Sequence, residues 1–291
     1  MENKTAILIN TRQRPTELAM LLQSLRTQTF QEFDIFIMDC PESQQLQTHH
    51  FMNCILNVIK QEDHKVFIKI MEFTEGVAQA RQKIVDWANE FDYEFYCRLD
   101  DDCFLEPDYL ERLHKVLGKG YDLASGITAP CTPSLKRDPK FLNGIANRVI
   151  LDSEGNYIFN GDDCGVEYTE SVILPIHHFR SCALYKSEIH KKANYLPTPL
   201  SYHGFREEQI FSYRIVMAGY KMAIDTQAKN YHQMTPSGGE RHTQTNENTM
   251  FNQKQLEQFT RDNVSELRKY FPDEPKMSEL ALSKSTNLLM R

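Results

Sequence analysis

Apolar residues along this chain fall into short blocks separated by polar loops, and the blocks alternate between two periods. Ala6-Ile7-Leu8-Ile9 and Phe33-Asp34-Ile35-Phe36-Ile37-Met38 are compact runs of the kind that form buried strands. Between them Leu18, Leu21, Leu22 and Leu25 recur at helical spacing, behind Pro15, which suits a first helical turn. The alternation continues with a helix over 51–60, a strand over 66–71, a helix from Val77 to about Asn89, a strand over 93–99 and a helix from Asp108 to Leu117. Apolar strands alternating with helices predict a mostly parallel α/β sheet wrapped by helices.

The rhythm changes after residue 120. Residues 129–200 hold six prolines and a hairpin pattern, with strands 148–151 and 157–159 around a turn at 152–156. A further strand is expected from His177 to Tyr185. A helix over Glu207–Ala218 is closed by Gly219 and followed by a strand over Lys221–Asp225. Ser237-Gly238-Gly239 marks a loop, and an amphipathic helix is expected from Asn252 to about Tyr270. Trp87, inside a helix pattern, reads as a core residue.

Composition narrows the class. The chain has 291 residues, 41% hydrophobic and 25% charged, which describes a globular protein able to bury a full core without cross-links. A net charge of -7 leaves no overall basic footprint for nucleic acid. Seven scattered cysteines without a C-x-x-C pair suggest reduced thiols. No run approaches the ~20 apolar residues of a transmembrane helix, so a cytoplasmic location is expected.

The chemistry concentrates where the strand over 93–99 meets Asp100-Asp101-Asp102. Clustered carboxylates at a strand end offer hard oxygen ligands for Mg²⁺ or Mn²⁺, and hence for a diphosphate carried by such an ion. In open α/β sheets ligands bind outside the carboxyl ends of the strands. Strand alternation would turn Asp101 away from the side shared by Asp100 and Asp102.

Five separated segments, in order, resemble family 2 glycosyltransferases. Thr11-Arg12-Gln13-Arg14-Pro15 is similar to the family's T-x-N-R-P loop, with Gln13 where Asn is common. Asp39 stands where the family shows an acidic pair, here with Cys40 beside it. Gly76-Val77-Ala78-Gln79-Ala80-Arg81 resembles G-x-x-x-A-R. Leu99-Asp100-Asp101-Asp102 followed by Pro107-Asp108-Tyr109-Leu110 resembles L-D-x-D…P-D-Y-L. Glu207-Glu208, Arg214 and Ala218-Gly219-Tyr220 resemble the E-D…R…A-G-Y helix, with Glu208 where the family has Asp.

This resemblance implies a GT-A fold: a Rossmann-like, mostly parallel central sheet with a smaller antiparallel acceptor-side portion and a C-terminal helix. Residues 1–120 would form the nucleotide-sugar half and 121–235 the acceptor and catalytic half. Residues 236–291 would supply a loop, the last helix and a polar tail. It implies a metal-dependent, inverting transfer from a UDP-sugar to a hydroxyl. Asp102 and His232 would hold Mn²⁺ or Mg²⁺, with His242 as the substitute for His232. Thr11, Arg14, Asp39, Arg81, Asp100 and Asp101 would line the donor. Glu208, or else Glu207, would be the base. His177 and His178 precede a segment that resembles the strand beneath the sugar. The residues leave two other readings open: a nucleotidyltransferase on a similar sheet, which the glycine-free loop after the first strand disfavours, and an inactive binding module. The acceptor is open among glycan, lipid-linked glycan, protein and modified nucleic acid.

Overall fold

A computed structural model of the chain describes residues 4–40, 45–71, 76–131, 148–151, 157–160, 170–235 and 245–271. The first half is a strand–helix alternation: β1 (Thr5–Thr11), α1 (Pro15–Arg26), β2 (Phe33–Asp39), α2 (His50–Gln61), β3 (Val66–Ile70), α3 (Val77–Ala88) and β4 (Phe95–Asp100). Then follow β5 (Cys103–Leu105), α4 (Tyr109–Leu117), β6 (Leu123–Pro130), the hairpin β7 (Arg148–Leu151) and β8 (Tyr157–Asn160), β9 (Ile173–Ile176) and β10 (Ala183–Lys186). The described chain ends with α5 (Glu207–Met217), β11 (Met222–His232), α6 (Asn246–Asp262) and α7 (Val264–Leu267).

Nine of these strands form one mixed sheet, ordered β3-β2-β1-β4-β10-β6-β11-β5, with β9 also on β11. The first four are mutually parallel. β10 runs antiparallel between β4 and β6, and β11 is parallel to β6. Both faces of β1, β2 and β4 are covered, so these strands are mostly apolar rather than alternating, while the edge strand β3 is partly exposed. Ala6 and Leu8 of β1 face a core with Ile84, Val85 and Ala88 of α3 and Ile210 and Phe211 of α5. Ile7 and Ile9 face the opposite core, with Leu18, Leu21 and Leu22 of α1 and Leu110 and Leu113 of α4. Trp87 packs edge-on against Phe36, 5.1 Å between ring centroids, at the border of the first core.

Three sequence expectations shift. The strand expected over 177–185 begins only at Ala183. Ser181 stands at φ 46°, a left-handed backbone that breaks an extended run. The strand expected over 221–225 continues to His232, across a register shift between Ile224 and Lys229 against β6. Gly126 makes that shift possible, because a Cβ there would lie 2.2 Å from the Ala228 carbonyl oxygen. The last helix starts at Asn246, capped by the Thr245 hydroxyl, which accepts from the Asn248 N–H at 3.1 Å, and it breaks at Asn263. The turn at 152–156 and the 237–239 loop lie outside the described residues. No described helix is long and apolar enough to cross a membrane.

Candidate active site

The carboxyl ends of β1 and β4 and the start of α5 surround a cleft of about 280 Å³. Sheet register puts them there. Asn10 and Thr11 at the end of β1 lie beside Asp100 at the end of β4 and Asp39 at the end of β2. β4 stops at Asp100, so Asp101 and Asp102 lie on a turn where strand alternation no longer governs direction. All three acids line the cleft, which corrects the expectation that Asp101 faces away. The chain then returns as β5 and pairs with the end of β11, His232 opposite Cys103. The Gln233 N–H also donates to the Asp102 carbonyl oxygen at 2.8 Å. The acidic turn is thereby held against the histidine.

Each acid has its own partner. Asp101 accepts from the Thr11 hydroxyl at 2.8 Å and from Arg14 Nη1 at 3.0 Å. Burial pushes its pKa up to about 6 even so, with Arg14 pulling the other way and Asp102 adding to the rise. Asp102 is 3.2 Å from the same Arg14 nitrogen and 2.9 Å from His232 Nε2. Asp100 is ion-paired with Arg81 and lies 3.7 Å from Arg98. Burial works against its charge, but Arg81 and Arg98 outweigh burial and hold the pKa below the usual carboxylate value. Gln13 sits at φ 54° in the loop that aims Arg14, a left-handed position that asparagine adopts more readily.

Arg206 at φ 82° turns the chain into α5. Glu207 and Glu208 occupy the first helical turn, where the macrodipole favours negative charge. Glu207 is buried and takes both terminal nitrogens of Arg98, at 2.5 and 3.1 Å. Burial raises its pKa to about 7, against the pull of Arg98. Glu208 is different: its side chain is 28% exposed, and only one oxygen, Oε1, meets Arg98, at 3.3 Å. The turn before α5 is tied to α3. The Val77 N–H donates to the Tyr202 carbonyl oxygen at 3.0 Å, and Gly204, at φ 66°, lies where a Cβ would be 2.7 Å from that of Val77.

The structure therefore gathers Thr11, Arg14, Arg81, Asp100, Asp101, Asp102, Glu207, Glu208 and His232 around one cleft. Asp39 does not line it; its carboxylate lies beneath and accepts the Leu46 N–H at 3.0 Å. Burial raises the Asp39 pKa. His177 and His178 are not among the lining residues, and the His177 ring packs at a tilt against Phe271 instead, 4.6 Å between centroids. His242 lies outside the described residues. Arg98 was given no role from the sequence. Its signal was a lone charged side chain within an apolar strand.

The donor set suits a divalent cation. Asp100, Cys103 and His232 each present one ligand atom, all within 4.8 Å of one another, and Asp102 abuts the same histidine. Carboxylate and imidazole donors match Mn²⁺ or Mg²⁺. The Cys103 thiol is kept protonated, its pKa raised by a hydrogen bond with Cys182 and by burial. The oxygen and nitrogen groups are the apt ligands.

A mixed sheet with a carboxylate turn at its centre and a paired-acid helix lining the same cleft defines a GT-A type glycosyltransferase architecture. The family model for glycosyl transferase family 2 matches residues 6–159, more than half of the chain, and the chain belongs to that family. Solved structures of similar fold include GalNAc-T7 with UDP, GalNAc and Mn²⁺, at TM-score 0.59 and 14% identity over 94% of this chain and 59% of that one. S. aureus TarS 1-349 in complex with UDP-GlcNAc matches at TM-score 0.56 and 12% identity, over 92% of this chain and 73% of that one. Against another crystal structure of S. aureus TarS, at TM-score 0.51 and 14% identity, the alignment covers 80% of this chain but spans only 37% of that chain. No curated protein matches the chain.

Proposed function

We propose that this protein transfers a sugar from a nucleoside-diphosphate donor, of which UDP-sugars are the first choice, to an acceptor hydroxyl, with inversion at the anomeric carbon. The observation that carries the reading is the shared cleft, which the acidic turn, His232 and Glu208 line together. Asp102, His232 and Asp100 are the residues that would hold a divalent cation, with Asp101 bracing the turn through Thr11 and Arg14. Such an ion stabilises negative charge on a departing diphosphate. Arg81 and Arg14 flank the same place with cationic groups suited to phosphate. Asp39, through Leu46, shapes the nucleotide end from beneath.

Glu208 is the base in this reading. It lines the cleft and meets Arg98 through Oε1, whereas both oxygens of Glu207 are taken by that guanidinium. A carboxylate that draws a proton from the acceptor hydroxyl, across the sugar from the leaving group, makes a single displacement. The solved neighbours that hold UDP with Mn²⁺ or UDP-GlcNAc support the choice of donor and of ion.

The test is ligand-dependent stability, followed by turnover. UDP with Mn²⁺ at about 100 times its Kd adds about 2.7 kcal/mol of stability, a rise in Tm of roughly 5–10 °C at about 2–4 °C per kcal/mol. Asp102→Ala is expected to lose that rise. A panel of nucleotide sugars then identifies the donor by Mn²⁺-dependent release of the nucleoside diphosphate. Absence of any shift and of any release from the wild-type protein would overturn the reading.

A further inference from the structure

We propose that Arg98 is a positioning residue, which fastens the base-bearing turn of α5 to the carboxyl end of β4 and thereby sets where Glu208 stands in the cleft. The proposal rests on the reading of Glu208 as the base.

The geometry is specific. Arg98 lies two residues before the acidic turn, on a strand paired on both sides, and its side chain is 2% exposed. Its fork takes both oxygens of Glu207, at 2.5 and 3.1 Å. The nitrogen that makes the shorter bond also reaches Glu208 Oε1 at 3.3 Å and stands 3.7 Å from Asp100 Oδ1. The other terminal nitrogen donates to the Tyr195 hydroxyl at 3.4 Å. The guanidinium lies over the rings of Phe179 and Tyr195, 5.5 and 5.8 Å from their centroids, which fixes its plane.

Two physical facts make this more than a buried ion pair. Adjacent residues on a helix diverge by about 100°, so Glu207 and Glu208 would ordinarily address different surroundings. A single cation reaching both holds the second in the direction set by the first. In addition, a planar fork fixes orientation as well as charge, which an ammonium cannot do. Burying such a pair gains little stability over an apolar replacement. What the fork supplies here is a fixed distance between the donor end of the sheet and the group that must face the acceptor. A displacement of about 1 Å at a reacting group costs about 10²-fold in rate.

The experiment compares wild type, Arg98→Lys, Glu207→Gln and the double variant, using release of nucleoside diphosphate from the donor found by the panel, alongside the UDP–Mn²⁺ thermal shift. For Arg98→Lys the expected result is a fall in kcat of about 10–10²-fold, with the KM for donor within about threefold and the UDP–Mn²⁺ shift retained. Glu207→Gln should show the same split. The double variant should be no slower than the slower single variant by more than about threefold, because both break one linkage. A merely structural ion pair would lower Tm without separating kcat from KM. Wild-type kcat in Arg98→Lys, loss of the UDP–Mn²⁺ shift in step with kcat, or additive costs in the double variant would overturn the proposal. Should Arg98→Lys fail to fold, Glu207→Gln alone decides it, since unchanged kcat there is incompatible with the linkage. Failure of the wild-type protein to turn over any donor would instead count against the function on which the proposal rests.

Discussion

Arg14 offers the sharpest test of how the acidic turn is held. Its Nη1 stands 3.0 Å from Asp101 and 3.2 Å from Asp102, and Nη2 donates to the Thr235 carbonyl oxygen at 3.3 Å. All three side chains are at most 7% exposed. Replacing Arg14 by Met keeps most of the stem and removes the charge, leaving two neighbouring carboxylates with much less compensation. Removing one partner of a buried pair costs about 3–5 kcal/mol, which corresponds to a fall in Tm of roughly 6–20 °C at about 2–4 °C per kcal/mol. Arg26→Met is the internal control. Arg26 grips Glu62 at 2.5 Å, but the side chains are 26% and 38% exposed, and exposed pairs of this kind contribute about 0–1 kcal/mol. Short contact distance alone would rank the two variants in the opposite order. Adding Asp101→Asn to Arg14→Met removes one of the stranded charges and should restore more than half of the lost Tm. Thermal melts at pH 7.5, checked by urea unfolding, supply the numbers. Equal losses for Arg14→Met and Arg26→Met, or no recovery in the double variant, would refute the reasoning.

Glu208→Gln should lower kcat by about 10²–10⁴-fold while changing stability by no more than about 0.5 kcal/mol, as seen in product release against Tm. The raised pKa values of Glu207, about 7, and Asp101, about 6, carry a sign. Each group binds its proton more tightly folded than unfolded, so its stabilising contribution is full below the unfolded value near 4 and is lost as pH rises through the folded value. Denaturant unfolding should therefore show a smaller fall in stability between about pH 4.5 and 7 in Glu207→Gln than in the wild type. Gly204→Ala meets both a left-handed backbone and the Val77 side chain, and a loss of about 1–3 kcal/mol is expected from the melting curve.

The parallel half of the fold was legible because β1, β2 and β4 are buried on both faces and so read as mostly apolar runs. The nine cleft residues were legible because they cluster at element ends, where polar side chains have no packing role to obscure them. Other features were hidden for physical reasons. β11 reads as a short strand because Thr226 and Gln227 interrupt its apolar run, and only the facing Gly126 lets the chain detour and rejoin β6. The start of α6 is all polar, so periodicity could not find what the Thr245 cap defines. Asp101 lines the cleft because β4 ends at Asp100, so strand alternation does not reach it. Asp39 is drawn to a backbone N–H that no spacing rule anticipates. Arg98 meets Glu207 and Glu208 from about 110 positions away, a contact that only the folded chain makes.

The detour in β11 has a consequence for anyone altering this strand. Its residue count between Ile224 and Lys229 fixes the parity of everything downstream, including Asn230 at the Tyr109 hydroxyl and His232 at Asp102. Deleting a single position there would swap inward and outward for the whole distal stretch, bringing Gln233 to the acidic turn in place of the imidazole. The meeting of imidazole and acidic turn at the strand tip is thus written in arithmetic at its middle, several residues away.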